Sequence, residues 1–227
     1  IASGHISDSF EDQVHELTAM TGTGVDAVIL ITNRLAKEEE SDEVWLANLQ
    51  ALLDKLPSQV PLGFYECPYP YKRVLSPKVT RWCAESGRFI FLKDTCCDIQ
   101  QIKEKLDICR DSNLKLYNAN TSTLLESLRY GATGYSGVMA NMQCDLYAWL
   151  CAHPQDEKAE ELSQELTICS LIERQLYPVN AKYYLSLEGL SITTECRSKR
   201  AEDLTTTFRT EVEMLRQITK RMADKYL

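Results

Sequence analysis

Short apolar runs alternate with helix-forming segments through the first 140 residues of this chain, and this alternation limits its fold more than any other feature. The runs occupy residues 25–31, 60–65, 89–93, 114–118 and 135–140. The runs are mainly apolar instead of alternating apolar with polar residues, which is typical of strands that are buried on both faces. Such strands, separated by helices, predict a parallel sheet that is covered by helices.

The segments between and after these runs have the apolar spacing of helices. Helical patterns cover residues 8–20, 42–56, 77–86, 98–110 and 122–130, and almost all of the chain after residue 145. An open, doubly wound sheet normally carries a glycine-rich phosphate turn after its first strand, whereas Thr21-Gly22-Thr23-Gly24 precedes a strand here. The pattern therefore favours a (β/α)8 TIM barrel. Residues 1–150 are predicted as its barrel portion, and residues 151–227 as a helical C-terminal extension of the same domain.

Composition excludes several classes of function. A net charge of −8 and a pI near 5.0 argue against binding to a nucleic-acid backbone. No window approaches the roughly 20 apolar residues that a membrane-spanning helix requires. The nine cysteines form no paired CxxC motif and the three histidines lie far apart, so no protein-held metal is expected. Reduced thiols in the cytoplasm are the natural interpretation of these cysteines.

Two strand ends carry residues that could do chemistry. Alternation along a strand places Phe89, Phe91 and Lys93 on one face, which in a barrel can be the interior, and Tyr65 ends the preceding strand. Desolvation lowers the pKa of a buried lysine, so its free amine can attack a carbonyl, and a phenol nearby can move protons. The alternative is that Lys93 ends its strand and reaches solvent, paired with Asp94 or Asp98, while Tyr65 is a packed aromatic residue.

The flanking residues of both strand ends add a more specific signal. Four segments in order resemble the strand-end motifs of the dihydrodipicolinate synthase and N-acetylneuraminate lyase family: Tyr65-Glu66-Cys67-Pro68, Phe91-Leu92-Lys93-Asp94-Thr95, Leu116-Tyr117-Asn118, and Gly131-Ala132-Thr133-Gly134 leading to Ala140-Asn141. In addition, Tyr177-Pro178-Val179-Asn180-Ala181-Lys182 resembles the family's late Asn-Pro-x-x-x-Lys segment. The resemblance covers roughly residues 1–190.

The resemblance implies a Schiff-base aldolase or lyase built on a (β/α)8 barrel, of which this chain would cover about six of the eight βα units. Lys93 would form an imine with pyruvate or a related 2-oxo acid, and Tyr65 would shuttle protons. Ser136, Gly137 and Val138 would line the pocket. The resemblance also implies that no metal or organic cofactor is needed and that the chain assembles as a homo-oligomer, a dimer or a tetramer.

The chain departs from the family pattern in three places. The synthase branch carries tyrosines after the strand that here ends in Ile31-Thr32-Asn33-Arg34, and its arginine after the Tyr-x-x-Pro motif has no clean counterpart. Arg34, Lys72 and Arg73 are therefore candidates for binding a substrate carboxylate, and for Arg34 the alternative is a solvated loop residue. The chain also starts near the family's third strand, so the natural protein is expected to be longer by about 70 to 80 residues.

Because of these departures, synthase activity itself is not expected. Two hypotheses for the function of the chain therefore remain. The first hypothesis is a lysine-dependent aldolase or lyase whose full substrate the sequence does not identify. The second is a catalytically inactive barrel of the same family that acts as a ligand sensor or a structural subunit.

Overall fold

The computed structural model describes all residues from Ile1 to Leu227 and divides them into two compact units. The first unit contains residues 1–119 and 130–134, and the second contains residues 120–129 and 135–227. The division of domains at residue 150 remains a prediction.

The first unit is built around a parallel sheet. Its strands are β1 (Val28–Ile31), β2 (Leu62–Tyr65), β3 (Phe89–Asp94) and β4 (Lys115–Asn118), and the short β5 (Gly134–Tyr135) begins in this unit. Strand order in the sheet follows the chain, β1-β2-β3-β4-β5, and the paired registers of the first four strands are all parallel. Ala2 adds one further parallel bridge, to Val28 at the edge of β1.

Four helices connect and cover these strands, and local sequence sets where each begins. They are α1 (Phe10–Thr21), α2 (Asp42–Leu53), α3 (Pro77–Glu85) and α4 (Ile99–Cys109). Ser9, Ser41, Ser76 and Asp98 precede them, and each side chain accepts a backbone N–H of the first turn. Pro77 takes the first position of α3, where its missing N–H leaves no hydrogen bond unmade.

The face of the sheet that packs against these helices forms the core of the first unit. Trp45 of α2 is fully buried there, its ring centroid 5.5 Å from that of Phe64, and its Nε1 donates to the carbonyl of Thr32 at 2.7 Å. Phe64 in turn stacks on Phe89 at 4.5 Å. Burial of aromatic and aliphatic side chains on this face holds helices and strands together.

Phe89 does not share a face with Phe91 and Lys93, and the alternation predicted from the sequence is wrong at this residue. The pairing of β2 with β3 shifts between Leu62 and Gly63, so that Leu62 pairs with Phe89 but Gly63 pairs with Phe91. The extra residue, Ile90, reverses the side-chain alternation. Phe89 therefore joins the helix-side core, while Phe91 and Lys93 point to the opposite face.

The second unit is helical and has its own core. It contains α5 (Leu124–Tyr130), α6 (Cys144–Ala152), α7 (Ala159–Cys169), α8 (Val179–Leu187) and α9 (Thr206–Tyr226). Its buried residues include Leu146, Leu162, Leu166 and Val212, each at most 1% exposed. The run predicted as a strand over residues 135–140 ends at Tyr135, because Gly137 begins a 3-10 turn at Val138–Asn141. None of the nine helices combines the length and the hydropathy that crossing a membrane requires.

A buried histidine fixes the N-terminal segment against the end of β1. His5 is fully buried, and its Nδ1 accepts the backbone N–H of Ile31 at 2.9 Å. The other ring nitrogen, Nε2, therefore carries the proton and donates to Gln13 Oε1 at 2.8 Å. Burial lowers the pKa of His5, against the opposing effects of Gln13 and Glu16.

We expect this histidine to make the protein less stable as the pH falls below 6.5. The unfolded chain takes up the proton near pH 6.5 and the folded chain only at lower pH, so the free energy of unfolding falls by up to about 1.4 kcal/mol per pH unit in that window. Urea unfolding at pH 7.5, 6.5 and 5.5 measures this slope. His5→Asn should remove it and His15→Asn, at an exposed position on α1, should not; equal slopes in the two variants would contradict the assignment.

Candidate functional site

Lys93 and Tyr65 lie side by side at the ends of neighbouring parallel strands. They are paired in register across β2 and β3, and Lys93 Nζ lies 4.4 Å from the centroid of the Tyr65 ring. Both side chains are half-buried. An amine over an aromatic ring and beside a phenol has what imine chemistry requires, namely a nucleophile and a group that can exchange protons.

The same face of the sheet surrounds the lysine with apolar and aromatic groups. The row that contains Lys93 runs Ile31, Tyr65, Lys93, Tyr117 across the four strands, and Tyr117 stacks on Phe91 at 4.7 Å. One row below, Gly63 lies so close to Phe91 that a Cβ on it would be 2.7 Å from the Phe91 carbonyl oxygen. This close packing excludes any larger residue at Gly63. Gly63 and Phe91 together form an apolar surface beside the lysine.

A buried network of two carboxylates and a lysine lies behind the pair. Glu66 directly follows Tyr65 and Asp94 directly follows Lys93, so both side chains point to the helix side of the sheet. Lys105 of α4 reaches both: its Nζ is 2.6 Å from Glu66 Oε1 and 2.6 Å from Asp94 Oδ2. The three side chains are at most 3% exposed.

Burial and mutual charge set the protonation of this network. Burial raises the pKa of Glu66, with the charge of Lys105 opposing this effect and the charge of Asp94 adding to it. For Lys105, burial alone would lower the pKa, but the two carboxylates outweigh it and raise the pKa. Lys105 is therefore the cation of the network, and burial disfavours the charged form of Glu66.

Cys96, which follows Lys93 closely in sequence, shows no sign of an activated thiol. Burial, followed by the charge of Asp94, raises the pKa of Cys96 to about 12, and its Sγ contacts the Asp98 carbonyl at 3.5 Å. The Cys97 Sγ contacts the Thr95 carbonyl at 3.4 Å. The Cys96 thiol therefore stays protonated at neutral pH.

The three predicted carboxylate-binding cations lie on the loops that follow β1 and β2, where each already has a partner. Arg34 pairs with Asp8, whose side chain is 92% exposed. Lys72 Nζ donates to the Thr95 carbonyl at 2.8 Å. Arg73 donates to the carbonyls of Lys37 and Glu40 and pairs with Asp42 at 3.3 Å. Their role in substrate binding remains a prediction.

Asn33 ties the two loops together and was not singled out from the sequence. Its buried Nδ2 lies 3.0, 2.8 and 2.6 Å from the carbonyl oxygens of Cys67, Tyr69 and Tyr71. In the same region Thr32 Oγ1 donates to the Arg73 carbonyl at 2.6 Å. The segment after β1, where the synthase branch of the family has tyrosines, thus holds the loop after β2 in place.

Ser136, Gly137 and Val138 belong to the second unit, in the segment that follows β5. All three are half-buried; Gly137 is extended and precedes the 3-10 turn that Val138 begins. The preceding residue, Tyr135, is fixed by stacking on Tyr147, with ring centroids 4.1 Å apart. A role of these three residues in lining the pocket remains a prediction.

Sequence reasoning missed Lys105 and the network it forms. One signal was available: Lys105 follows Ile102 by three residues and precedes Leu106, so it lies at the border of the apolar stripe of α4. A second signal is that Glu66 and Asp94 each follow a buried strand and therefore need a cation or a proton. Neither signal identifies the partner, since pairing across a sheet depends on strand order.

Comparisons with known proteins give a consistent result. The model of the dihydrodipicolinate synthetase family matches residues 7–218. No curated protein sequence matches the chain. Solved structures do match: dihydrodipicolinate synthase from Bacillus anthracis has a TM-score of 0.81 at 21% identity, covering 94% of this chain and 72% of that one.

Two further structures are similar to the same degree. The 4-hydroxy-tetrahydrodipicolinate synthase from Methylacidiphilum fumariolicum has a TM-score of 0.82 at 19% identity, covering 100% of this chain and 74% of that one. The chloride-inhibited dihydrodipicolinate synthase from Acinetobacter baumannii, complexed with pyruvate, has a TM-score of 0.80 at 20% identity, covering 96% and 74%. At these identities the structures show the fold, and the predicted barrel-type arrangement of parallel strands with C-terminal helices is confirmed.

Proposed function

Because the chain belongs to the dihydrodipicolinate synthetase family, we propose that Lys93 forms an imine with pyruvate or a related 2-oxo acid and that a carbon–carbon bond is made or cleaved through it. The family supports a pyruvate-dependent, Schiff-base aldolase-type function. The pyruvate complex of the Acinetobacter baumannii protein adds to that support. The exact substrate and the activity of this chain are part of the proposal.

The observation that carries the proposal is the pairing of Lys93 with Tyr65. The lysine amine lies 4.4 Å from the tyrosine ring centroid, at adjacent positions in the register of two parallel strands. Residues at the carboxyl ends of parallel barrel strands are where such enzymes place their reacting groups. An imine-forming lysine with a proton-transferring phenol beside it is the pairing that this arrangement supports best.

The proposed reaction uses the Lys93 amine, the Tyr65 hydroxyl and the substrate. The Lys93 amine adds to the ketone carbon, and the ketone oxygen, protonated through Tyr65, leaves as water. The resulting iminium accepts the electron pair released when the neighbouring carbon loses a proton or a carbon substituent, which gives an enamine. In the synthetic direction the enamine carbon attacks an aldehyde, and water then hydrolyses the imine to release the product and restore the amine.

We further propose that one of the loop cations binds the substrate carboxylate, with Arg34 as the first candidate. The partner of Arg34 is Asp8, a side chain that is 92% exposed, whereas Arg73 holds two backbone carbonyls and is only 12% exposed. A substrate carboxylate can replace an exposed partner at lower cost than it can break a loop. Ser136, Gly137 and Val138 remain proposed pocket residues, and Lys72 is the next candidate cation.

Arg34→Gln is expected to raise the half-saturating concentration of pyruvate, and Lys37→Gln is expected to leave it unchanged. Equal half-saturating concentrations in the two variants would contradict the assignment of Arg34 as the carboxylate-binding residue.

The proposal also places the protein in the cytoplasm as a homo-oligomer. Nine free cysteines suit a reducing compartment. Ile168, Leu171 and Met214 of the second unit expose between 49% and 68% of their surface, which suits helices that bury their apolar faces against another copy. Sedimentation at micromolar protein concentration tests this proposal. Detection of monomers only would contradict a homo-oligomer.

Reductive trapping tests the proposed function directly. Borohydride added together with pyruvate should convert the imine to a stable secondary amine, and peptide mass spectrometry should locate it at Lys93. Pyruvate, 2-oxobutyrate and 2-oxoglutarate form the panel of substrates, and borohydride alone and pyruvate alone are the controls. Absence of an adduct with every 2-oxo acid, or an adduct at other lysines only, would contradict the proposal.

A second candidate is an inactive barrel that binds a 2-oxo acid as a sensor or serves as a structural subunit. The observation that favours it is the segment after β1, where Thr32 and Asn33 hold the neighbouring loop instead of supplying a proton-relaying tyrosine. In that case the protein would bind 2-oxo acids without turning them over. Replacement of Lys93 distinguishes the two candidates.

A further inference from the structure

We propose that Lys105, Glu66 and Asp94 form a clamp that positions Lys93 beside Tyr65, and that they act as positioning residues for imine formation. The inference rests on the proposed function, since it assigns the clamp a role in that reaction. It goes beyond it in naming three residues that touch no substrate. Below, "the clamp" means these three side chains.

The clamp is built from the residues next to the reacting pair. Glu66 follows Tyr65 and Asp94 follows Lys93, so each carboxylate belongs to the residue next to a reactive one. Lys105, from α4, binds the two carboxylates at 2.6 Å each. A single side chain on a helix thereby connects the ends of the two strands that carry Tyr65 and Lys93.

The same carboxylates also bind backbone N–H groups of the chain that follows Lys93 and of the loop that follows Tyr65. Glu66 Oε2 accepts the N–H of Thr95 at 2.8 Å, and Asp94 Oδ1 accepts the N–H of Cys96 at 3.0 Å. The second Glu66 oxygen also accepts the N–H of Leu75, at the end of the loop that leads to α3. These bonds fix the chain directly after Lys93 and fix the loop that follows Tyr65.

Two more hydrogen bonds join the strand ends at the same level. The Glu66 N–H donates to the carbonyl of Lys93 at 3.3 Å, and Thr95 Oγ1 donates to the carbonyl of Glu66 at 2.7 Å. The Lys93 carbonyl and the side chain of Thr95, two residues further along, are therefore both held from the β2 side. Such a supporting shell keeps a reactive group within a fraction of an ångström of its working position.

Stability alone is a poor reason for burying this set of charges. Two carboxylates and one ammonium in a dry site carry an excess negative charge, and well-packed apolar residues often stabilise a core as well as a buried ion network does. Burial, with the charge of Asp94 adding to it, raises the pKa of Glu66, which means that its ionised form is costly at this site. What apolar residues could not supply is the set of acceptors for the N–H groups of Leu75, Thr95 and Cys96.

The test compares Lys105→Met with Lys105→Arg and with a core control, Leu49→Ala, in the same unit. Lys105→Met keeps an unbranched side chain, one atom shorter, but leaves both carboxylates without a cation, and arginine can bridge two carboxylates. Leu49 is fully buried in α2, so its loss destabilises the unit without touching the clamp. Folding of each variant is first established from its unfolding transition.

Two readouts are measured on the folded variants. The first is the maximal rate of borohydride trapping at saturating pyruvate, expected to fall between about tenfold and a hundredfold in Lys105→Met, with half-saturation unchanged and recovery in Lys105→Arg. The second is hydrogen exchange at the N–H groups of Thr95, Cys96 and Leu75, expected to speed up in Lys105→Met and not in Leu49→Ala.

The outcomes separate the clamp from the proposed function. Failure of the wild-type protein to trap any 2-oxo acid would sink the proposed function, and it would overturn the clamp's role in imine formation whatever exchange showed. With trapping intact in the wild type, unchanged amide exchange in Lys105→Met would overturn the clamp. Faster amide exchange in Lys105→Met with an unaltered maximal trapping rate would show that the clamp has only a structural role. An equal loss of trapping rate in Leu49→Ala would show the same. If Lys105→Met does not fold, Glu66→Gln, which keeps one acceptor oxygen in place of two, is measured in its place against the same criteria.

Discussion

Lys93→Ala is expected to abolish adduct formation with 2-oxo acids and to lower any turnover by at least about a thousandfold. The amine supplies the covalent bond of the proposed reaction, and neither Tyr65 nor any loop cation can replace a nucleophile at that position. Borohydride trapping and steady-state turnover of the wild type and the variant measure the loss. The matched control is Lys103→Ala, which removes a half-buried lysine of α4 whose Nζ lies 5.2 Å from the centroid of the Tyr130 ring.

Binding measurements on Lys93→Ala decide between the two candidate functions. An enzyme loses turnover and covalent capture together when the lysine is removed. A sensor, in contrast, shows no turnover in the wild type and still binds the 2-oxo acid in the variant, as calorimetry would detect. Trapping that persists in Lys93→Ala at the wild-type rate would mean that another amine reacts.

Tyr65→Phe is expected to slow imine formation by about a hundredfold to ten-thousandfold while the protein stays folded. Phenylalanine keeps the ring beneath Lys93 Nζ and removes only the hydroxyl, so the change isolates proton transfer. Single-turnover trapping at fixed pyruvate concentration measures the rate. The free energy of unfolding should change little, because the half-buried ring keeps its contacts.

Tyr117→Phe is the matched control for Tyr65→Phe. Tyr117 flanks Lys93 on β4 at the same level of the sheet as Tyr65 on β2, and its ring stacks on Phe91. If Tyr65 moves the protons, loss of the Tyr117 hydroxyl leaves the trapping rate close to that of the wild type. Equal losses in both variants would mean that neither tyrosine has a specific role as a proton donor.

Much of the first unit could be predicted from local patterns. The positions of β2, β3 and β4, and the starts of α2, α3 and α4, follow from continuous apolar runs and from capping residues such as Ser76 and Asp98. Such signals act over a few residues and need no knowledge of what packs against them. The ordered strand-end motifs then led to the family, and the match over residues 7–218 confirms that resemblance.

Other features depended on pairing between distant segments. The register shift beside Gly63 moves Phe89 to the helix side of the sheet, and the sequence of β3 alone does not indicate this shift. The strand predicted to end at residue 140 ends at Tyr135, because Gly137 starts a 3-10 turn instead. Errors of this kind arise where register with a neighbouring strand, or a glycine, overrides a local preference for a strand.

The sequence by itself determined that Lys93 and Tyr65 end consecutive apolar strands, because the period of a strand and the apolar runs are properties of short segments. Only the tertiary structure decided that the lysine amine lies over the tyrosine ring, and that Lys105 joins Glu66 and Asp94 behind them. Lys105 is 39 residues from Glu66 and 11 from Asp94. Contact among these three residues requires both the order of strands in the sheet and the packing of α4 against it. Neither can be deduced from a single segment of the sequence.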